Sequence, residues 1–248
     1  MILLFDVGNT NVSIGISDGF KIIDTYRLNT IVTKTADEYY IQMRNIIDFD
    51  QIKHVAISSV VPRITEKLIE ISKHHLNIEP LVIGPGVKTG INIKTDHPRE
   101  VGADLICAAA GTIAFDHPTI IVDLGTAIKY IYVKNKTIKG VVITPGVAIS
   151  IKALVGNTAL LPDIDITVPK KVLGTNTVTC MQSGVTYGVA AQVDGLIDRI
   201  KEETNEDCKV ILTGGLSGTI APLCKHELTR DPDLVLKGLY EIFLKNNG

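Results

Sequence analysis

The chain has 248 residues, a formal net charge of −2 and a hydrophobic fraction of 45%. These values suit one or two folded domains with a sizeable core and exclude a disordered or low-complexity chain. The near-neutral charge argues against a general phosphate-backbone binder, and the lack of tryptophan, with 5% aromatic residues, argues against a stacking platform for nucleic-acid bases.

Ile2-Leu3-Leu4-Phe5 reads as a buried strand running into the turn Asp6-Val7-Gly8-Asn9-Thr10. Asp6 arrives too early for a secretory leader, so none is expected. Residues 11–17 alternate toward Asp18-Gly19, a hairpin signal, and residues 20–28 return as a strand. Residues 36–47 predict an amphipathic helix with Ile41, Ile46 and Ile47 turned to the core. A strand is expected over 55–60, a helix over 63–75 with Ile64, Leu68 and Ile71 on one face, and a short strand over 81–83. Residues 98–115 predict a helix opened by Pro98, with Val101, Leu105, Ala108 and Thr112 as its core stripe. Asp104 would sit ~100° from Leu105 on that helix, beside Gly102.

Thr119-Ile120-Ile121-Val122 then repeats the opening strand and runs into Asp123-Leu124-Gly125-Thr126-Ala127, with Asp123 placed 117 residues after Asp6 (123 minus 6). Residues 128–133 and 137–143 repeat the hairpin. The longest apolar stretch, 140–155, is broken by Pro145, Gly146, Ser150 and Lys152, so no membrane span is expected. A long helix over 185–204, a strand over 210–212 ending in Thr213-Gly214-Gly215, and a helix over 234–245 complete the chain. The repetition predicts two related α/β halves, residues 1–116 and 117–248, facing each other across a cleft. The cysteines Cys107, Cys180, Cys208 and Cys224 fit neither a pairing nor a zinc pattern and read as reduced thiols of a cytoplasmic protein.

A strand-end aspartate followed by glycine suits phosphate and metal chemistry. Glycine lets the backbone approach an anion, Asn9, Thr10 and Asn11 can donate to phosphate oxygens, and the carboxylate can hold a hydrated Mg²⁺. One such turn alone would be an Asx turn opening a hairpin; two copies at matching places point to a shared ligand. No Walker A loop is present, and no Gly-x-Gly-x-x-Gly follows a strand. Gly214-Gly215 leaves side-chain-free backbone that could accept adenine or ribose, or could simply make a tight turn.

The two turns and the Gly-Gly site resemble the phosphate and adenosine motifs of the actin, hexokinase and acetate-kinase superfamily. The resemblance narrows with Asp96-His97-Pro98-Arg99-Glu100-Val101-Gly102-Ala103-Asp104, Thr144-Pro145-Gly146, Met181-Gln182-Ser183-Gly184 and Asp231-Pro232-Asp233. In this order the whole chain resembles a type III pantothenate kinase. That implies two duplicated actin-like (ribonuclease H-like) ATPase halves with a nucleotide cleft. The implied activity is transfer of the γ-phosphoryl of ATP to pantothenate, with Mg²⁺ and K⁺ or NH₄⁺ as cofactors, in a cytoplasmic homodimer that engages neither nucleic acid nor membrane. It further implies that Asp6, Val7, Gly8, Asn9, Thr10, Asn11, Val12 and Ser13 form the ATP phosphate loop, with Thr126, Gly214 and Gly215 as further ATP contacts. Asp6 would hold Mg²⁺ through water and Asp123 a monovalent cation. Thr95, Gly102, Ala103, Asp104, Leu105 and Thr177 would contact pantothenate, Thr177 across the dimer interface, and Asp104 would be the general base.

Some positions depart from the family pattern. Leu105 stands where the family has arginine, Thr95 where tyrosine is common, and Ile128, Lys129, Tyr130 and Ile131 where threonine and aspartate recur. Three readings follow: a pantothenate kinase in which Lys129 or another cation replaces the arginine, a kinase for a related alcohol such as pantetheine, or a non-catalytic nucleotide-binding sensor.

Overall fold

The structure, a computed structural model, describes residues 1–247. Met1–Ala114, with the stretch beginning at Asp233, forms one compact unit, and Phe115–Pro232 forms a second.

In the first unit, β1 (Ile2–Val7), β2 (Asn11–Ser17) and β3 (Ile22–Asn29) make an antiparallel meander. Asp18 closes its first hairpin by accepting from the Phe20 and Lys21 amides at 2.9 Å each, and those bonds hold its carboxyl below the usual carboxylate range. Helix α1 (Ala36–Arg44) follows, then β4 (His54–Ser59), α2 (Pro62–His74), β5 (Leu81–Val82), β6 (Asn92–Ile93) and α3 (Ala103–Ala110). β4 and β5 add to the sheet in parallel, giving the order β3-β2-β1-β4-β5. Side chains alternate along β1. Leu3, Phe5 and Val7 join a core that includes Tyr39 and Met43 of α1 and Ile64, Leu68 and Ile71 of α2.

Two helices differ from expectation. A capping box between Thr35 and Glu38 fixes the start of α1 at Ala36. That start sets the phase, so Ala36, Tyr39 and Met43 are buried, while Ile41 is 62% exposed and Ile46 is also exposed. Ile47 is buried beyond the helix end. The helix expected over 98–115 is broken. Pro98 opens only a 3-10 turn, Pro98–Glu100, and Val101 is extended. Gly102 is the N-cap of α3 with φ −61° and ψ 151°, so it is not a mid-helix residue. Of the expected stripe, Leu105, Ala108 and Thr112 are buried, but Val101 and Thr112 lie outside α3.

The second unit repeats the plan. β7 (Thr119–Leu124), β8 (Ala127–Lys134) and β9 (Thr137–Pro145) form an antiparallel meander. Helices α4 (Val147–Gly156) and α5 (Thr177–Thr204) follow, then β10 (Lys209–Thr213), α6 (Ser217–Ile220) and β11 (Thr229–Arg230). β10 lies parallel to β7 and β11 parallel to β10, so five strands of this six-stranded sheet run in the order β9-β8-β7-β10-β11, which reproduces that of the first sheet. Ile120, Val122 and Leu124 pack in one core with Val147, Ile151, Val189 and Val193 of the helices. α5 begins at Thr177 rather than 185 because Asn176 and Thr179 form a capping box, and it ends at Asn205 in the left-handed conformation. α4 lies in the broken apolar stretch, where Gly146, its N-cap, separates it from β9. Among the described residues, no helix is long and apolar enough to cross a membrane.

The last helix, α7 (Leu234–Asn247), belongs to the first unit, although the division at 116/117 assigns it to the second half. It packs against α3, β1, β2 and β4. Leu236 lies over Gly15, whose Cβ position would be 3.3 Å from Leu236 Cδ1, close to Leu4. So the face of β1 that carries Leu4 and Asp6 is the one that α7 covers.

Candidate active site

In the first unit the chemistry gathers where β1 and β4 end side by side. Asp6 stands opposite Ser13 on β2 and Ser58 on β4. The Ser58 hydroxyl donates to Asp6 Oδ1 at 3.2 Å. The turn beyond it is held by the Gly8 amide, which donates to Asn11 O at 2.9 Å, and by the Thr30 hydroxyl, which donates to Gly8 O at 2.7 Å. Asn9 and Thr10 are exposed on this turn. Val7 and Val12 are buried, so they can offer a ligand only backbone groups.

Asp104 occupies the first turn of α3, where a carboxylate is favoured by the helix dipole. The Leu105 amide donates to Asp104 Oδ1 at 2.9 Å, which orients the carboxylate. A Cβ on Gly102 would stand 2.5 Å from that same oxygen, so a larger residue there would have to turn the carboxylate out of this position. Leu105, expected as a substrate contact, is 8% exposed; its side chain is in the core and its amide serves Asp104. One turn along α3, fully buried Cys107 shares a hydrogen bond with Ser58. Burial, then the charges of Asp6 and Asp104, push its thiol far above the usual range. Asp6, Ser58, Cys107 and Asp104 are therefore neighbours. A recess of 370 Å³ lined by Ser59, Val60, Pro62, Thr65 and Glu66 opens beyond the end of β4. The Thr95 hydroxyl is buried without a hydrogen-bond partner among the described residues, an orphaned polar group suited to a ligand contact.

In the second unit, Asp123 stands opposite Lys129 on β8 and Thr213 on β10, the register positions of Ser13 and Ser58 in the first sheet. Lys129 Nζ lies 2.7 Å from Asp123 Oδ2, with the two side chains 17% and 14% exposed. Gly214 closes on this turn with φ +88°, and a Cβ there would meet Asp123 Oδ1 at 2.6 Å and Leu124 backbone at a similar distance. Gly146 approaches from β9: its Cβ would clash with the carbonyl oxygens of Gly125 and Thr126, and its amide donates to Thr126 O at 3.1 Å. Gly125, Thr126, Gly146 and Gly214 thus form one close-packed turn cluster around Asp123, and Gly215 follows it into α6. Thr177 is exposed at the first turn of α5.

Sequence reasoning missed Ser58, Cys107 and the pairing of Lys129 with Asp123. The polar pair Ser58-Ser59 closing an apolar strand was a usable signal for the first. Antiparallel counting across the 124/128 pair was usable for the last.

A family model for type III pantothenate kinase matches residues 2–199. A type III pantothenate kinase from Acholeplasma laidlawii (strain PG-8A) is 53% identical over 246 residues, covering 99% of each chain. Among solved structures, a Campylobacter jejuni protein named for a Baf family of transcriptional activators superposes with a TM-score of 0.62 at 19% identity, covering 99% of this chain and 98% of that one. A Sinorhizobium meliloti protein provisionally named a 2-dehydro-3-deoxygalactonokinase gives a TM-score of 0.65 at 11% identity, covering 99% and 96%. At these identities the two structures share the fold alone.

Proposed function

The chain belongs to the type III pantothenate kinase family, and from that membership we propose how its residues divide the work of the reaction. The enzyme transfers the γ-phosphoryl of ATP to the primary hydroxyl of pantothenate, giving 4'-phosphopantothenate, the first step of coenzyme A biosynthesis. Asp104 takes the proton from that hydroxyl as its oxygen attacks the γ-phosphorus in line. The observation that carries this assignment is the carboxylate held by the Leu105 amide beside the side-chain-free Gly102. Phosphoryl transfer needs mainly positioning and charge stabilisation, and an oriented base supplies the proton transfer.

The turn from Asp6 to Ser13 receives the phosphates of ATP, with Thr126 as a further contact and Gly214-Gly215 facing the adenosine. Kinases of this kind take ATP with a divalent ion, and Asp6 fits Mg²⁺ held through water: it is a hard carboxylate at a strand end with the hydroxyl residues Ser13 and Ser58 opposite it. Mg²⁺ supplies charge neutralisation on the phosphates. The family resemblance also implies K⁺ or NH₄⁺ at Asp123. That carboxylate already carries the Lys129 ammonium, so the residues do not fit a second cation, and no step is assigned to one. Thr95, Gly102, Ala103 and Asp104 line the pantothenate position, Leu105 acts there only through the amide that holds Asp104, and Thr177 reaches it from a second copy in a homodimer. Exposed apolar side chains at Ile143, Ile149, Leu154, Leu160, Val172 and Leu173 support a dimer surface in the second unit. The reaction and the unpaired thiols suit the cytoplasm.

The test is a coupled assay of ADP release with pantothenate and, separately, pantetheine. Asp104→Asn is expected to keep ATP affinity by calorimetry and to lower kcat by about 10²–10⁴. Unchanged kcat removes Asp104 from its role, and turnover with pantetheine alone would move the substrate assignment.

A further inference from the structure

The two sheets place the same kind of residue at the same register position with one informative exception. Opposite Asp6 stands Ser13, and opposite Asp123 stands Lys129. The first carboxylate therefore has a small neutral hydroxyl across from it, and the second has an ammonium 2.7 Å away. Both members of that pair are largely withdrawn from water, where opposite charges interact more strongly and are screened less by salt. A lysine ammonium is, chemically, an alkylated NH₄⁺ with three donors. It brings to Asp123 the charge and hydrogen-bonding capacity that a bound NH₄⁺ would bring. A K⁺ ion on the same carboxylate would have to lose water and sit beside a like charge. The remaining oxygen gives little relief, because Asp123 Oδ1 faces the close-packed Gly214.

We propose that the Lys129 ammonium is the resident monovalent cation of this enzyme, so that Asp123 binds neither K⁺ nor NH₄⁺ and catalysis does not depend on them. Lys129 thus acts on Asp123 and the adjoining turn, rather than standing in for the arginine that Leu105 replaces. The inference rests on the phosphotransfer reading above for the charge that the cation offsets.

The experiment compares ADP release by the full-length protein with ATP, Mg²⁺ and pantothenate in KCl, NH₄Cl and choline chloride at equal ionic strength. Thermal unfolding is followed in the same salts. The native enzyme should show rates equal within about two-fold and midpoints equal within about 1 °C across the salts, since a cation that does not bind gives no linked stabilisation. Lys129→Ser, which copies the first sheet, should lose at least about ten-fold in choline chloride, the loss expected for one charge-assisted contact. That variant should regain rate and gain thermal stability with K⁺ or NH₄⁺. Lys129→Arg, which keeps a cation, should stay insensitive to the salt. A native enzyme activated about ten-fold by K⁺, or selectively stabilised by it, overturns the proposal. So does a folded Lys129→Ser protein that works normally in choline chloride. If pantothenate gives no turnover in any salt, the kinase reading fails, and the unfolding measurements alone decide whether Asp123 takes up K⁺.

Discussion

Asp6, Asp104 and Cys107 place two carboxylates around one buried thiol, and the thiol answers to both. Burial and the two negative charges hold Cys107 in its neutral form, so no third negative charge develops next to Asp6 and Asp104. Thiolates, not thiols, are the reactive species. Cys107 should therefore be silent toward a disulfide reagent in the native protein at mildly alkaline pH. Burial also raises Cys208 and pushes Cys224 up to about 11, whereas Cys180 is exposed. Native labelling followed by peptide mapping should find Cys180 modified first, with Cys107 reached only after denaturation; fast native labelling of Cys107 would mean that the Asp6–Ser58–Cys107 neighbourhood is open. At this scale the matching places of Asp6 and Asp123 near the ends of β1 and β7 could be read from the sequence, because each belongs to a short strand-and-turn pattern. Ser58 and the Lys129 contact could not be read so directly, since each depends on which residue a neighbouring strand brings opposite.

Among the elements of the first unit, α3 and α7 pack closely against each other. A Cβ at Gly238 would stand 1.7 Å from Cys107 O and 2.6 Å from Gly111 N. These are backbone atoms that cannot swing aside, so Gly238→Ala must push the two helices apart. Overpacking of this kind costs about 1–3 kcal/mol, sometimes more. Urea unfolding should show a lower midpoint at an unchanged slope, and kcat should fall with it because α3 carries Asp104; a midpoint equal to the native one would show that α7 can slide without loss. Element positions were legible where a start signal and a hydrophobic period agreed, as in α2, whose Ile64, Leu68 and Ile71 face is buried as expected. They were misread where a cap set the phase. Thr35 with Glu38 turned α1 so that Ile41 faces water, and Gly102 cut the helix expected from Pro98 into a turn and the shorter α3.

For the molecule as a whole, the duplicated strand and turn foretold the duplicated sheet order, since a meander followed by parallel additions is a local consequence of strand and helix alternation. The return of α7 to the first unit had no such local mark. Its apolar residues Leu236, Leu239, Ile242 and Phe243 would suit either unit, and only packing at long sequence separation decides. That return orders events during synthesis. Residues 115–232 are contiguous and can close on themselves once made, while β1 and α3, made earlier, still lack the helix that covers them. A chain ended at Pro232 should keep hydrogen-exchange protection in β7 and β10 and lose it in β1 and β4, and persisting protection in β1 would refute this. On the ribosome, then, the strand that carries Asp6 emerges early yet matures late, and its Leu4 face is an apolar surface in need of shelter until α7 has cleared the exit tunnel.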